Sequence, residues 1–174
     1  MSSEPSFAGL KARLAQLSIT YEQYEHPPLT TCFDADHLKL VRSGARLKNL
    51  FLRDNYGRVH ALLLTTPERR VDLKALSKQL GLSRLGFASN ERLEKYLGVK
   101  PGCVSALALI NDSSQHVRLW IDEALWQQTH WQCHPFDNRY TWVLAKHDLI
   151  QFWQTLGITP EVYGIPNQRE DALK

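Results

Sequence analysis

The sequence predicts an α+β (mixed α/β) fold: a single domain with a mostly antiparallel mixed sheet or partial barrel flanked by helices. Three observations predict it. Apolar residues switch repeatedly between helical spacing and short unbroken or alternating runs, so helices and strands interleave along the chain. Several of the strand-like runs are joined only by short turns such as Asn55-Tyr56-Gly57-Arg58, which makes antiparallel hairpins. The chain has 174 residues, 43% hydrophobic and 10% aromatic, with no repeat or linker, which is enough core for one ordinary domain over 1–174.

The elements follow in order. Phe7, Leu10, Leu14 and Leu17 give residues 6 to 17 the spacing of an amphipathic helix. Ile19 to Tyr24 alternates and reads as a strand. His26-Pro27-Pro28 stops it, because proline donates nothing to a ladder. Thr31 to Leu40 reads as a helix with Thr30 or Thr31 as its N-cap and Gly44 as its close. The runs from Leu47 and from Val59 to Thr65 are the two strands of a hairpin. Asp72 caps a helix that reaches Leu80 and ends at Gly81. Ser89 caps the next, Asn90 to Leu97, which ends at Gly98. Pro101-Gly102 is a turn, Val104 to Ile110 a buried strand, and Asn111-Asp112-Ser113-Ser114 a further turn. Val117 to Ile121 is a strand, Asp122 to Trp126 a short helix and Tyr140 to Leu144 a strand. His147 to Thr155 is a helix ended by Gly157. The last ten residues are expected to fray.

Composition removes several function classes. No apolar run approaches the roughly eighteen residues that cross a bilayer, so no membrane is expected. Met1 to Phe7 lacks a secretory apolar region, which makes the cytoplasm the expected location. Cys32, Cys103 and Cys133 are odd in number and form no CxxC. They read as buried or incidental thiols rather than a zinc site or a disulfide framework. The seven histidines show no HxH, HxxxH or HExxH spacing, so no metal is expected. A dinucleotide fingerprint, a P-loop and a nucleophile elbow are all missing. A net charge of +3 permits contact with a phosphate backbone without demanding it.

Four places could carry chemistry. Lys48 opens an apolar strand; it is either an edge cation that discourages aggregation or a cation reaching into a cleft toward a phosphate or carbonyl. Asn49 beside it offers donors and acceptors, or caps a turn. Gly102 either lets the backbone bring an N–H close to a ligand or is a plain turn glycine. His134, in the loop His134-Pro135-Phe136-Asp137-Asn138, could donate to a ligand, act as a general base, or bond a backbone carbonyl.

The blocks Lys48-Asn49-Leu50-Phe51-Leu52, Val71-Asp72-Leu73-Lys74-Ala75-Leu76, Leu85-Gly86-Phe87-Ala88-Ser89, Leu97-Gly98-Val99-Lys100-Pro101-Gly102 and Ala108-Leu109-Ile110-Asn111-Asp112 occur in a distinctive order. So do His26-Pro27-Pro28 upstream and His134-Pro135, Asn138 and Thr141 downstream. In this order the chain resembles the YbaK/prolyl-tRNA synthetase-associated editing domain family over about residues 5–165, most strongly its free-standing alanyl-tRNA(Pro) deacylases. The resemblance implies a YbaK-like fold and a trans-editing enzyme that hydrolyses mischarged Ala-tRNA(Pro) without a cofactor. Its partners would be mischarged tRNA(Pro), and prolyl-tRNA synthetase or an elongation factor. The alternatives are a deacylase for Cys, Ser or Thr, or a non-catalytic tRNA- or synthetase-binding module.

The resemblance also implies roles. Lys48 would hold the terminal adenosine or its phosphate and orient the ester, supported by Asn49. The Gly102 N–H would face the substrate carbonyl. His134 would hold the aminoacyl amine or the ribose region. Thr30, Thr31, Ser105 and Asn138 would bind substrate. One departure stands out: the family usually continues its Pro-Gly turn with Ser/Thr-Pro-Phe, and here the chain has Ser105-Ala106-Leu107. That difference bears on which amino acid is selected.

Overall fold

His60-Ala61-Leu62-Leu63-Leu64-Thr65 is buried at every position. A strand with no polar face needs cover on both sides. The computed structural model supplies that cover; it describes residues 7–27, 44–137 and 139–168. In chain order the elements are α1 (Phe7–Gln16), β1 (Glu22–Glu25), β2 (Lys48–Arg53), β3 (His60–Thr65), α2 (Leu73–Leu80), β4 (Gly86–Phe87) and α3 (Asn90–Leu97). A 3-10 helix (Ala106–Asn111) follows, then β5 (Val117–Asp122), α4 (Glu123–Trp126), β6 (His130–Cys133), β7 (Tyr140–Ala145), α5 (Lys146–Thr155) and β8 (Glu161–Tyr163).

The strands form two sheets rather than one. A five-stranded sheet runs β4-β2-β3-β5-β8, and a three-stranded sheet runs β1-β7-β6. The β2–β3 hairpin is antiparallel, while β3–β5 and β5–β8 are parallel. The small sheet is antiparallel throughout. The fold is therefore mixed α+β, as expected, and the sheets do not close into a barrel.

Alternation along β3 divides its leucines between two cores. Leu62 and Leu64 face the main core, with Leu10 and Leu14 of α1, Trp131, Trp142 and Leu144 of the small sheet, and Phe152 and Trp153 of α5. Ala61 and Leu63 face the second core, with Leu52, Leu76 of α2 and Trp120. Of the five tryptophans, Trp120, Trp131, Trp142 and Trp153 are fully buried and act as packing.

The caps of α2 and α3 lie where the residues place them. Asp72 accepts from the Ala75 N–H and Gly81 takes the left-handed conformation; Ser89 accepts from the Arg92 N–H and Gly98 is left-handed. The expected strand over Val104 to Ile110 is instead the 3-10 helix. A short run of buried apolar residues has no period that separates the two. Here the Ser105 oxygen accepts from the Leu107 N–H and starts a helical turn. The start of the tail is also tied down rather than frayed: Asn167 bridges Val71, and the Gln168 N–H donates to the Arg70 carbonyl. The helix expected over Thr31 to Leu40, together with Thr30, Thr31, Cys32 and Asn138, lies outside the described residues. Among the described residues no helix is long and apolar enough to cross a membrane.

Candidate functional site

Lys48 stands opposite Thr65 on the hairpin, and Asn49 stands opposite Leu64. Opposed residues share a face of the sheet, and neighbours along one strand do not. Lys48 therefore lies on the face of Leu50 and Leu52, toward the second core. Asn49 lies on the face of Phe51, toward the main core. The two residues that the sequence sets side by side leave β2 in opposite directions. Asn49 and Lys48 share a strand but not a face.

Lys48 is half-buried, and its Nζ donates to the Arg69 carbonyl. The Asn49 Oδ1 is buried and accepts no hydrogen bond among the described residues. A buried acceptor left unmet costs about 1–3 kcal/mol. It is a group that an ammonium or hydroxyl donor could satisfy.

The segment leading into Lys48 is tied to the strand leading to His134. Three residues before Lys48, the Ala45 N–H donates to the His130 carbonyl at 2.7 Å, and the Gln132 N–H donates to the Ala45 carbonyl at 2.8 Å. Strand β6 then ends at Cys133, one residue before His134. Backbone hydrogen bonds thus tie the segment just before β2 to β6 around Trp131.

His134 is half-buried, and its Nδ1 lies 2.9 Å from the Tyr140 carbonyl oxygen. A carbonyl only accepts, so the proton on that side of the ring sits on Nδ1. In the neutral ring Nε2 then carries the lone pair. The loop that holds the ring includes Phe136 at φ 66°, a conformation rare for a bulky side chain. His26 stands beside it, the two rings meeting edge to face at 6.4 Å. The His26 Nδ1 donates to the Pro27 carbonyl at 2.9 Å, and its Nε2 is hydrogen-bonded with the Thr141 hydroxyl at 2.8 Å. His26 is 8% exposed and Thr141 is 1% exposed. His26 and Thr141, motif positions without an assigned role, are buried together, with the His26 ring against that of His134.

Gly102 sits at φ 86°, where a side chain would strain the backbone. The Cys103 N–H is taken by the Lys100 carbonyl at 3.0 Å, and no such bond occupies the Gly102 N–H among the described residues. Ser105 is 1% exposed, and its oxygen accepts from the Leu107 N–H at 3.2 Å. That places its side chain at the base of the turn as a cap. Ala106 and Leu107 are fully buried in the main core. The Cys133 thiol, buried and pushed up to about 12, stays protonated near neutral pH and supplies no thiolate.

The arrangement offers a cation, an oriented imidazole, a turn amide and a buried amide oxygen. Groups of these types are able to bind and polarise an ester. Residues 26–152 match the family model described as the aminoacyl-tRNA editing domain. The chain belongs to that family. The matched segment opens on His26 and contains Lys48, Gly102 and His134. The editing domain is 36% identical over 148 residues to the prolyl-tRNA editing protein ProX of Acetoanaerobium sticklandii, spanning 85% of this chain and 90% of that protein. It is 34% identical over 158 residues to the prolyl-tRNA synthetase associated domain-containing protein 1 of Bos taurus, spanning 88% and 91%. A crystal structure assigned provisionally to a trans-editing enzyme for prolyl tRNA synthetase superposes with a TM-score of 0.68 over 96% of this chain and all of that one. At 19% identity that last likeness speaks for the fold alone.

Proposed function

We propose that this chain is a trans-editing deacylase that hydrolyses the ester of alanine mischarged onto tRNA(Pro). The observation that supports the reading is that Lys48, Gly102 and His134 all fall inside the segment matched by the aminoacyl-tRNA editing domain. Ala45, three residues before Lys48, is hydrogen-bonded to the strand that ends one residue before His134, and the His134 Nδ1 donates to the Tyr140 carbonyl.

The chemistry follows from the substrate. Alanine is smaller than proline and enters any pocket built for proline. One methylene more or less changes binding by only about 1–3 kcal/mol, so a second, size-excluding site is needed. An aminoacyl ester is already activated, and positioning supplies much of the remaining barrier. Lys48 holds the phosphate or ribose of the terminal adenosine and orients the ester. The His134 ring holds the aminoacyl ammonium or the ribose region. The Gly102 N–H faces the carbonyl oxygen and stabilises the negative charge that develops when water adds. The acyl C–O bond then breaks. Alanine leaves as the free acid, and the ribose oxygen takes the proton. Water is the only co-reactant, so no side-chain nucleophile is called for.

The partner implied is mischarged tRNA(Pro), with prolyl-tRNA synthetase or an elongation factor as the source that hands it over. Contacts to phosphate make binding fall with salt. The test is the hydrolysis of Ala-tRNA(Pro) by wild type and by Lys48→Ala. Loss of at least about tenfold in the variant supports the reading, since a hydrogen bond to a charged group is worth about 1.5–3 kcal/mol. Wild-type rates in the variant would remove Lys48 from the site.

A further inference from the structure

We propose that Asp122 positions Lys48, acting across the sheet through Arg69 and Thr65. The inference rests on the role just proposed for Lys48. Asp122 ends β5 and caps α4, with its Oδ1 accepting from the Ala124 N–H at 2.9 Å. Capping occupies one oxygen, and Ser, Thr or Asn would serve as well. The second oxygen is what capping does not explain. The Asp122 Oδ2 accepts from the Thr65 hydroxyl at 2.6 Å and from the Arg69 Nε at 3.0 Å. Asp122 is 1% exposed and Thr65 is fully buried.

These contacts converge on Lys48. Thr65 is its partner across the hairpin, on the same face. Arg69 lies four residues past the end of β3, and its carbonyl accepts the Lys48 ammonium. The Arg69 side chain, gripped by Asp122, fixes the residue whose own carbonyl holds the lysine. Charge is arranged to suit. A buried carboxylate needs a cation, and Arg69 provides it. From this side Lys48 receives a neutral carbonyl, which holds an ammonium without cancelling its charge. The carbonyl contact directs the lysine.

The test separates positioning from simple stabilisation. Arg69→Ala comes first, because that side chain is 22% exposed and its removal leaves the backbone carbonyl in place. Asp122→Asn is the second variant. The first readout is the side-chain ammonium resonance of Lys48 in ¹H–¹⁵N spectra, assigned by its loss in Lys48→Arg. It is expected to shift or broaden in both variants. The second readout is steady-state hydrolysis of Ala-tRNA(Pro) by folded protein. The expectation is a kcat lower by about tenfold or more, with KM within about twofold. Combining Arg69→Ala with Lys48→Ala should cost no more than Lys48→Ala alone. An unchanged Lys48 resonance in the folded variants, or losses that multiply in the double variant, would overturn the proposal. A perturbed resonance alongside a fully active Lys48→Ala would instead keep the positioning and sink the catalytic reading of Lys48.

Discussion

The His134 Nδ1 lies 2.9 Å from the carbonyl oxygen of Tyr140, the residue that opens the next strand. A carbonyl only accepts, so the contact fixes the proton on that side of the ring at Nδ1. On the proposed role, replacing His134 by Ala removes a hydrogen bond to the aminoacyl ammonium, worth about 1.5–3 kcal/mol. The predicted loss in kcat/KM is roughly ten- to a hundredfold, with little change in melting temperature because the ring is only half-buried. Deacylation kinetics beside a thermal melt check both halves. A melt that collapses along with activity would make the ring structural.

His60 offers a test of pH dependence. It is 3% exposed, and its Nε2 lies 2.9 Å from an Arg92 guanidinium nitrogen. A guanidinium only donates, so His60 accepts and is neutral. Burial and the Arg92 charge hold its pKa below the usual histidine value; Arg53 and His116 push the same way, and Asp54 opposes them. Phe51 and Tyr96 close the ring in. A group with a depressed native pKa takes up fewer protons when folded than when unfolded. His60 therefore contributes stability that is present above about pH 6.5 and lost as pH falls through its lower folded value. Urea midpoints measured between pH 7.5 and 5 should decline, and His60→Gln should flatten the decline. An equal slope in the variant would assign the effect to other groups.

Gly102 tests the turn amide. Its φ of 86° disfavours any side chain, so Gly102→Ala strains the turn by about 1–2 kcal/mol and re-aims its N–H. Removing an oxyanion donor costs on the order of a hundredfold or more in rate. Hydrolysis should therefore fall well beyond what the small shift in melting temperature accounts for. Proportionate losses would return Gly102 to an ordinary turn glycine.

Asp54 organises the turn of the β2–β3 hairpin. Its Oδ1 accepts from the Arg58 and Val59 amides at 2.7 and 3.0 Å, and its Oδ2 accepts from the Ser83 hydroxyl at 3.2 Å. Burial raises its pKa, but those hydrogen bonds outweigh burial and hold it below the usual carboxylate value. Asp54→Ala strips the two amides of their acceptor and should destabilise the protein by about 2–3 kcal/mol. Denaturant titration reads this as a lower midpoint at unchanged slope. A shift under about 0.5 kcal/mol would mean the turn holds itself.

The sequence disclosed some parts of this molecule and concealed others. The hairpin, the Asp72 and Ser89 caps and the glycines that end their helices were readable because each is local. Strands β4, β6 and β8 were not. They have two to four residues, too few to show a period, and they exist only through partners distant in the chain. The run Val104 to Ile110 misled for a related reason: burial on all sides erases the period that separates strand from helix. Within the candidate site, Lys48, Gly102 and His134 stood out through their blocks. The alternation that sends Asn49 away from Lys48 was implicit in the strand. The Arg69–Asp122 pair was hidden, since its members are 53 residues apart and meet only when β3 and β5 lie side by side.

The central claim is tested most directly by presenting the purified protein with Ala-, Pro-, Ser- and Cys-tRNA(Pro) and following release of each amino acid. Rapid loss of alanine with proline spared is the predicted result. Preferred release of serine or cysteine would keep the editing chemistry and overturn the alanine assignment. Intact esters on all four tRNAs would contradict the account and leave a domain that binds without catalysis.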